Sequence, residues 1–289
     1  MFGGAWIGMG AASGYRAQAM MRITSVRNPR VQAALELGRA RERDRRGMFA
    51  VEGAREISRA LAAGLRPVEA FWRPDDGLSP AAAVLVAALR QRPELSTYEV
   101  SAAVFDRLVV RAGSDGVYVV FARPPDVRLD ALRLPEMPLL LAVEGVEKPG
   151  NLGALLRVAD GAGVAAVVVL DGTVDIGNPN VIRASLGTVF ALPVVAAASA
   201  DFRAWSADRG ITVYAAALAG SARPHSTVDY TGPAAILLGS EAHGLPPYWL
   251  DAADVLVRIP MLGIADSLNV ATAGAVLLYE ALRQRSVGG

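Results

Sequence analysis

At 289 residues the chain is long enough for two domains, each with its own core. A composition that is 53% hydrophobic and 20% charged excludes a disordered chain, and the lack of cysteine excludes disulfides, thiolate metal sites and a cysteine nucleophile. Net charge is +1, but when the chain is divided at Leu134 the first part has 20 arginines against 14 acidic residues and the second 9 basic against 14 acidic, so the basic excess is N-terminal and almost wholly arginine.

Residues 1–21 are apolar and glycine-rich without the basic start and long apolar core of a signal peptide, and are read as a disordered extension. Asn28 followed by Pro29 predicts a capped helix that Gly38 closes. Strands follow over 48–51, 68–72, 98–100 and 117–121, alternating with helices over 54–63, 80–90 and 102–109, which describes a small α/β domain over 22–123. Between its first helix and first strand lies Arg39-Ala-Arg-Glu-Arg-Asp-Arg-Arg46. A run of mixed charge is a solvated face in one reading; in the other, beside Phe49-Ala-Val-Glu-Gly53, it resembles the opening of an RNA substrate-binding domain, which makes Arg41, Arg43, Arg45 and Arg46 candidate RNA contacts.

A proline-rich stretch over 124–137 has no strong period and is the expected linker. Beyond it, over 138–289, come unbroken apolar strands at 139–143, 166–170, 194–196, 211–216, 235–238 and 255–259, with helices at 152–162, 179–189, 202–208 and 268–283 between most of them. Such strands predict a parallel sheet covered on both faces. Only His225 and His243 are available, so no metal site is expected, and charges interrupt every apolar run before about 18 residues, so no membrane span is expected either. A cytoplasmic protein is the expectation.

Three strands empty into glycine and polar side chains. The first leads to Asn151, read as the cap of a helix that carries Arg157 six residues in. Taken alone this is an ordinary capped helix with a surface arginine. The second leads to Gly239-Ser-Glu-Ala-His-Gly244, where Gly239 permits close backbone approach, Glu241 is a helix-start carboxylate or a functional one, and His243 is read as structural. The third leads through Ile259, Pro260 and Met261 to Ser267, Leu268 and Asn269, with Asp266 or Ser267 as the cap of a long apolar helix. A dinucleotide fold is excluded because no Gly-x-Gly-x-x-Gly follows an early strand, and no Walker-type lysine loop exists.

Together, Asn151, Gly153, Ala154, Arg157 and Ala159, then Gly239, Glu241 and Gly244, then Ile259 to Met261 and Ser267 to Ala271 resemble the three motifs of the SpoU-type (TrmH-like) RNA ribose methyltransferases of the SPOUT superfamily. The resemblance covers roughly Arg22 to Arg285. It implies a parallel-sheet α/β domain with a deep trefoil knot, a rare exception to the rule against threaded chains, behind a smaller L30e-like RNA substrate-binding domain. It implies S-adenosylmethionine held by the loop Leu218, Ala219 and Gly220, by Gly239, and by Ile259, Met261 and Leu268. It gives Arg157 the central catalytic role, with Asn151, Glu241, Ser267 and Asn269 arranging ribose, phosphate and cofactor. Arg183, in a stretch that also resembles the family, is either a phosphate contact or an ion-pair partner.

The expected reaction is methylation of a ribose 2'-hydroxyl, with 23S ribosomal RNA favoured over transfer RNA and a role in antibiotic resistance of actinobacterial type. The alternatives are a transfer-RNA 2'-O-methyltransferase and a non-catalytic RNA-binding protein of the same fold. An arginine gives up its proton only at a pKa of about 12.5 to 13.8, so the preferred version keeps Arg157 charged and lets the proton leave through water or a phosphate oxygen. The C-terminal helix from Leu268 to Leu282 is apolar on nearly every side, which predicts a homodimer.

Overall fold

The computed structural model describes residues 21–74, 77–110, 114–172 and 174–287, so the extension expected at the N-terminus lies outside the described residues up to position 20. Met21, read with that extension, belongs instead to the first strand. In chain order the first half holds β1 (Met21–Ile23), α1 (Pro29–Glu36), α2 (Ala40–Arg46), β2 (Met48–Glu52), α3 (Ala54–Ala62), β3 (Pro67–Trp72), α4 (Pro80–Arg90), β4 (Ser96–Val100), α5 (Ala102–Leu108) and β5 (Val117–Ala122). They form a mixed sheet of order β1-β4-β3-β5-β2, in which β2 and β3 run antiparallel to β5. Asn28 caps α1 as expected, its side chain accepting from the Arg30 N–H at 2.9 Å with Pro29 in the first turn.

The second half holds β6 (Leu139–Glu144), α6 (Pro149–Gly161), β7 (Ala166–Leu170), α7 (Pro179–Ala184), β8 (Val194–Ala197), α8 (Ser199–Asp208), β9 (Thr212–Ala216), β10 (Arg223–Pro224), β11 (Ala234–Leu238), α9 (Pro247–Ala252), β12 (Val255–Arg258) and α10 (Val270–Val287). Its sheet has the order β10-β12-β9-β11-β6-β7-β8, and every pairing is parallel. Both β7 and β11 are buried at all five positions, which is why they read as unbroken apolar runs. The chain leaves β6 for β7 and β8 on one side and returns to β9 and β11 on the other, so the sheet switches direction beside β6. Ligand sites of open parallel sheets lie at the strand carboxyl ends next to such a switch.

The differences from expectation are local. The arginine run is a helix, α2, not a connection. α7 is one and a half turns long because Leu186 (φ 56) and Gly187 (φ 82) leave the helical region, and the remainder to Phe190 is a single 3-10 turn. Lys148, not Asn151, is the N-cap of α6, with Pro149 at N1, so Asn151 stands in the first turn. α10 begins at Val270, where the Asn269 side chain accepts from the Ala271 N–H at 2.9 Å, so Asn269 rather than Asp266 or Ser267 is the cap. α10 buries Val270, Leu277, Leu278 and Ala281, packs on α6 through Gly274, where a Cβ would come within 2.6 Å of Leu155 Cδ2, and leaves Tyr279 about half exposed.

The far end of α10 is tied down by Arg285. Its guanidinium donates to the carbonyls of Tyr230 and Met137 at 2.9 Å, of Pro138 at 3.2 Å, and of Gly232. Gln284 beside it accepts from the Tyr230 N–H at 2.9 Å and donates to the Val228 carbonyl at 3.0 Å.

One apolar cluster runs through both halves. Phe49 on β2 stacks on Phe121 of its own sheet at 6.0 Å and on Phe190 of the second half at 5.7 Å, and Ile57 of α3 belongs to the same cluster as Val181, Ile182 and Val189. Among the described residues no helix is long and apolar enough to cross a membrane.

Candidate active site

Four loops meet at the carboxyl ends of β6, β9, β11 and β12. After β11 the chain makes a tight turn in which Ser240 and Gly244 exchange both backbone hydrogen bonds at 3.0 Å and the His243 N–H donates to Ser240 Oγ at 3.0 Å. Gly244 sits at φ 66, and a Cβ on Gly239 would fall 2.3 to 2.4 Å from the main chain of Gly244 and Leu245. The turn therefore closes only on glycine at 239. It projects Glu241 outward, toward the first turn of α6.

There the carboxylate meets Asn151. Asn151 Nδ2 donates to Glu241 Oε1, and Asn269 Nδ2 in turn donates to Asn151 Oδ1 at 3.4 Å. The bonds span 90 and 118 positions of sequence and join one residue from each of the three motifs. Both ends of the Asn151 amide are thereby assigned: the oxygen faces Asn269 and the nitrogen faces Glu241. Asn269 is fixed because the same side chain caps α10.

Beside this chain lies a cavity of about 620 Å³, lined by loops 216–219, 238–245 and 257–268. Leu218, Ala219, Gly239, Ile259, Met261 and Leu268 all line it, as do Glu241 and Ser267; Gly220, expected with them, stands one position past the lining. Its lining includes the apolar residues Leu238, Met261 and Leu268, and Leu262 and Ile264, in the same loop as Met261, are fully exposed. A cavity of this size, mostly apolar with a few fixed polar groups, lies within the roughly 300 to 1,000 Å³ of small-molecule sites. Apolar walls suit the purine ring of S-adenosylmethionine and main-chain edges suit its ribose and amino-acid ends, so the residues present fit that group. A larger cleft of about 1,010 Å³ lies between the halves along Arg123 to Asp130, away from the three motifs.

Arg157 is on the exposed side of α6, and among the described residues it has no hydrogen-bond or ion-pair partner. Six positions beyond Asn151 correspond to a rise of about 9 Å along the helix, and its guanidinium does not join the Asn269–Asn151–Glu241 chain. Ser267 is exposed at the cavity edge. Sequence reasoning did not single out Glu144, at the end of β6. Burial pushes its carboxyl above the usual carboxylate range, while hydrogen bonding to Trp249 and Ser199 opposes the shift and Asp171 adds to it. The Ser199 hydroxyl donates to it at 3.2 Å.

The basic residues divide. Arg43, expected on RNA, is only 3% exposed: its guanidinium grips Asp175 and donates to the Leu37 carbonyl at 2.8 Å, so it is part of the interface between the halves. Arg46, also expected on RNA, is held by Glu36, Glu42 and the Ala33 carbonyl and works within its own domain. Arg45 is exposed but paired with Glu42 at 2.6 Å. Arg41 is exposed, and Arg183 is exposed with one bond to Asn180 at 2.9 Å. The signal for Arg43 was a helical one, since α2 turns it toward the core while Arg41 and Arg45 face out.

A parallel sheet with a cavity at its switch point, and amide and carboxylate side chains converging beside it, offers a small-molecule site next to fixed polar groups. The SpoU rRNA Methylase family model matches residues 138–279, and an MRM3-like substrate binding domain matches residues 28–118. The chain is 33% identical over 292 residues to the 23S rRNA (uridine(2479)-2'-O)-methyltransferase of Streptomyces viridochromogenes, covering 97% of this chain and 98% of that protein. A crystal structure described as an RNA 2'-O ribose methyltransferase is similar with a TM-score of 0.83 at 42% identity, covering 92% of this chain and 100% of that one. The SpoU methyltransferase AviRb of Streptomyces viridochromogenes, crystallised with its cofactor AdoMet, has a TM-score of 0.80 at 31% identity over 90% of this chain and 99% of that one. This chain belongs to the SpoU rRNA methylase family.

Proposed function

We propose that this protein methylates a ribose 2'-hydroxyl of 23S ribosomal RNA, with S-adenosylmethionine as donor. The observation that carries the reading is the meeting of Asn269, Asn151 and Glu241 at the rim of a cavity whose size and lining suit that donor. Bound there, S-adenosylmethionine supplies an electrophilic methyl group. Asn151, with both ends of its amide assigned, fixes the Glu241 carboxylate at the rim, where it orients the incoming ribose. Arg157, exposed and unpaired among the described residues, clamps a phosphate of the substrate and stabilises the alkoxide that develops as the hydroxyl loses its proton to water or a phosphate oxygen. Ser267 and Asn269 complete the rim.

The same proposal includes the finer expectations. The knot implied by the resemblance has α10 threaded through a loop. A homodimer is supported by the partly uncovered α10 and by exposed Tyr248, Leu250 and Tyr279. A ribosomal target supports a cytoplasmic place, and the likeness to a Streptomyces enzyme is the ground on which a resistance role is proposed. The presence of Asn151, Arg157, Glu241, Ser267 and Asn269 together disfavours a non-catalytic RNA-binding protein, and the N-terminal domain favours ribosomal over transfer RNA. The test is tritiated methyl transfer to 23S and transfer RNA, with the modified ribose mapped by primer extension at low nucleotide concentration. Label in a base, or in neither RNA, sinks the reading.

A further inference from the structure

The interface between the halves has the tightness of a core. Arg43 on α2 uses its Nε and Nη2 on the Asp175 carboxylate, with Nε 3.2 Å from both oxygens, while Nη1 holds the Leu37 carbonyl at 2.8 Å. Arg123 bridges the same joint, from Asp44 at 2.6 Å to the Val174 carbonyl at 3.2 Å, and Arg59 Nη1 donates to the Leu186 carbonyl at 2.7 Å. A Cβ on Gly177 would lie 2.6 Å from Phe49 Cβ, and one on Gly187 3.1 Å from Glu56 Cα. The segment gripped by the first half, 174–190, is also the one against which α6 packs. A Cβ on Gly153 would lie 2.6 Å from Ala184 Cβ and 2.7 Å from the Val181 carbonyl. Gly153 is two residues from Asn151, so close contacts run unbroken from Arg43 to the catalytic corner.

We infer that Arg43 is a positioning residue for methyl transfer: its ion pair with Asp175 sets a fixed span between the N-terminal half and Asn151, and that span selects which ribose is methylated. The inference rests on the RNA methylation reading above. A flexible tether lets an RNA gripped by the first half present any of several riboses to the corner, whereas a rigid joint presents one. The fork matters because three N–H directions are used at once, which a lysine cannot reproduce.

The experiment uses the full chain with a 23S ribosomal RNA transcript, compares the parent with Arg43→Lys and Gly177→Ala, and maps every methylated ribose. S-adenosylmethionine titration by calorimetry verifies that each variant keeps its cofactor site. Displacement of reacting groups by about 1 Å costs up to roughly a hundredfold in rate, so kcat/KM at the parent position should fall by about ten- to a hundredfold while neighbouring riboses gain label. A merely structural role lowers the rate and leaves the distribution alone. Label confined to the parent position in both variants, at any rate, overturns the inference. Failure of the parent chain itself to methylate the transcript is a separate outcome, and overturns the function on which the inference stands.

Discussion

The joint between the halves and the corner where the three motifs meet are both built from residues about a hundred positions apart, and they differ in what they leave unpaired. At the joint, 132 positions separate Arg43 from Asp175, and the arginine is buried with its N–H groups engaged. At the corner, Asn151 is engaged at both ends, but Glu241 is exposed, Asn269 has spent its oxygen on its own helix, and Ser267 and Arg157 are open to solvent. A joint is stable when its polar groups are satisfied, and a site is useful when some are not. Removal of packed groups from the first should therefore appear first in stability, with the site shift expected for Arg43 as its effect on the reaction, whereas substitutions in the second should appear mainly in rate.

The largest effect expected is at the joint. Phe49→Ala removes a ring that is 1% exposed and stacked on Phe190, and should lower stability by about 3 to 5 kcal/mol, read as a urea midpoint shift at unchanged slope. A loss below about 1 kcal/mol breaks the comparison from that side. Next is Arg157→Ala, which should slow single-turnover methylation by about 10² to 10³ with the melting temperature near that of the parent, since its side chain touches solvent. Arg157→Lys should be nearly as slow if the planar fork is what grips the phosphate. A parent-like rate in the alanine variant would pass the role to Glu241 or Ser267.

Asn151→Ala comes third and sharpens the contrast. Because Lys148 is the cap of α6, this substitution should change stability by no more than about 0.5 kcal/mol, yet slow the reaction by roughly ten- to a hundredfold as Glu241 loses its anchor. A melting temperature that falls with the rate returns Asn151 to a structural part. The smallest effect is at Glu144. Its folded pKa is raised, so its contribution to stability is fully present below the unfolded value of 4.5 and is lost as pH rises through the folded one. Glu144→Gln should melt slightly higher than the parent near pH 7, with the difference vanishing near pH 4; a difference of constant size across that range refutes the assignment.

The centre of the sheet was legible because β6, β7 and β11 are buried on both faces and so appear as unbroken apolar runs. β1, β10 and α9 were not, being three, two and six residues long and below any period. The corner was legible as three strings, and the bonds between Asn151, Glu241 and Asn269 join one member of each. The cap of α6 was misread although the chain carries its signal: proline favours the first helical position, so Pro149 points to Lys148. The fate of Arg43 was hidden for a different reason. Helical spacing sets Arg43 apart from Arg41 and Arg45, but the run was not read as a helix, and the partner at Asp175, far along the chain, fixes that face as the inward one.

α10 is fastened at both ends, to Asn151 through Asn269 and to the carbonyls at Met137, Pro138, Tyr230 and Gly232 through Arg285. Its 18 residues make a rod of about 27 Å, and each residue added or removed turns one end about 100° relative to the other. Substitution along its outer face is tolerable, but a change of length is not, since a single insertion would release either the Asn151 amide or the clasp at the entry to β6. Among homologues, insertions and deletions should be absent from this helix.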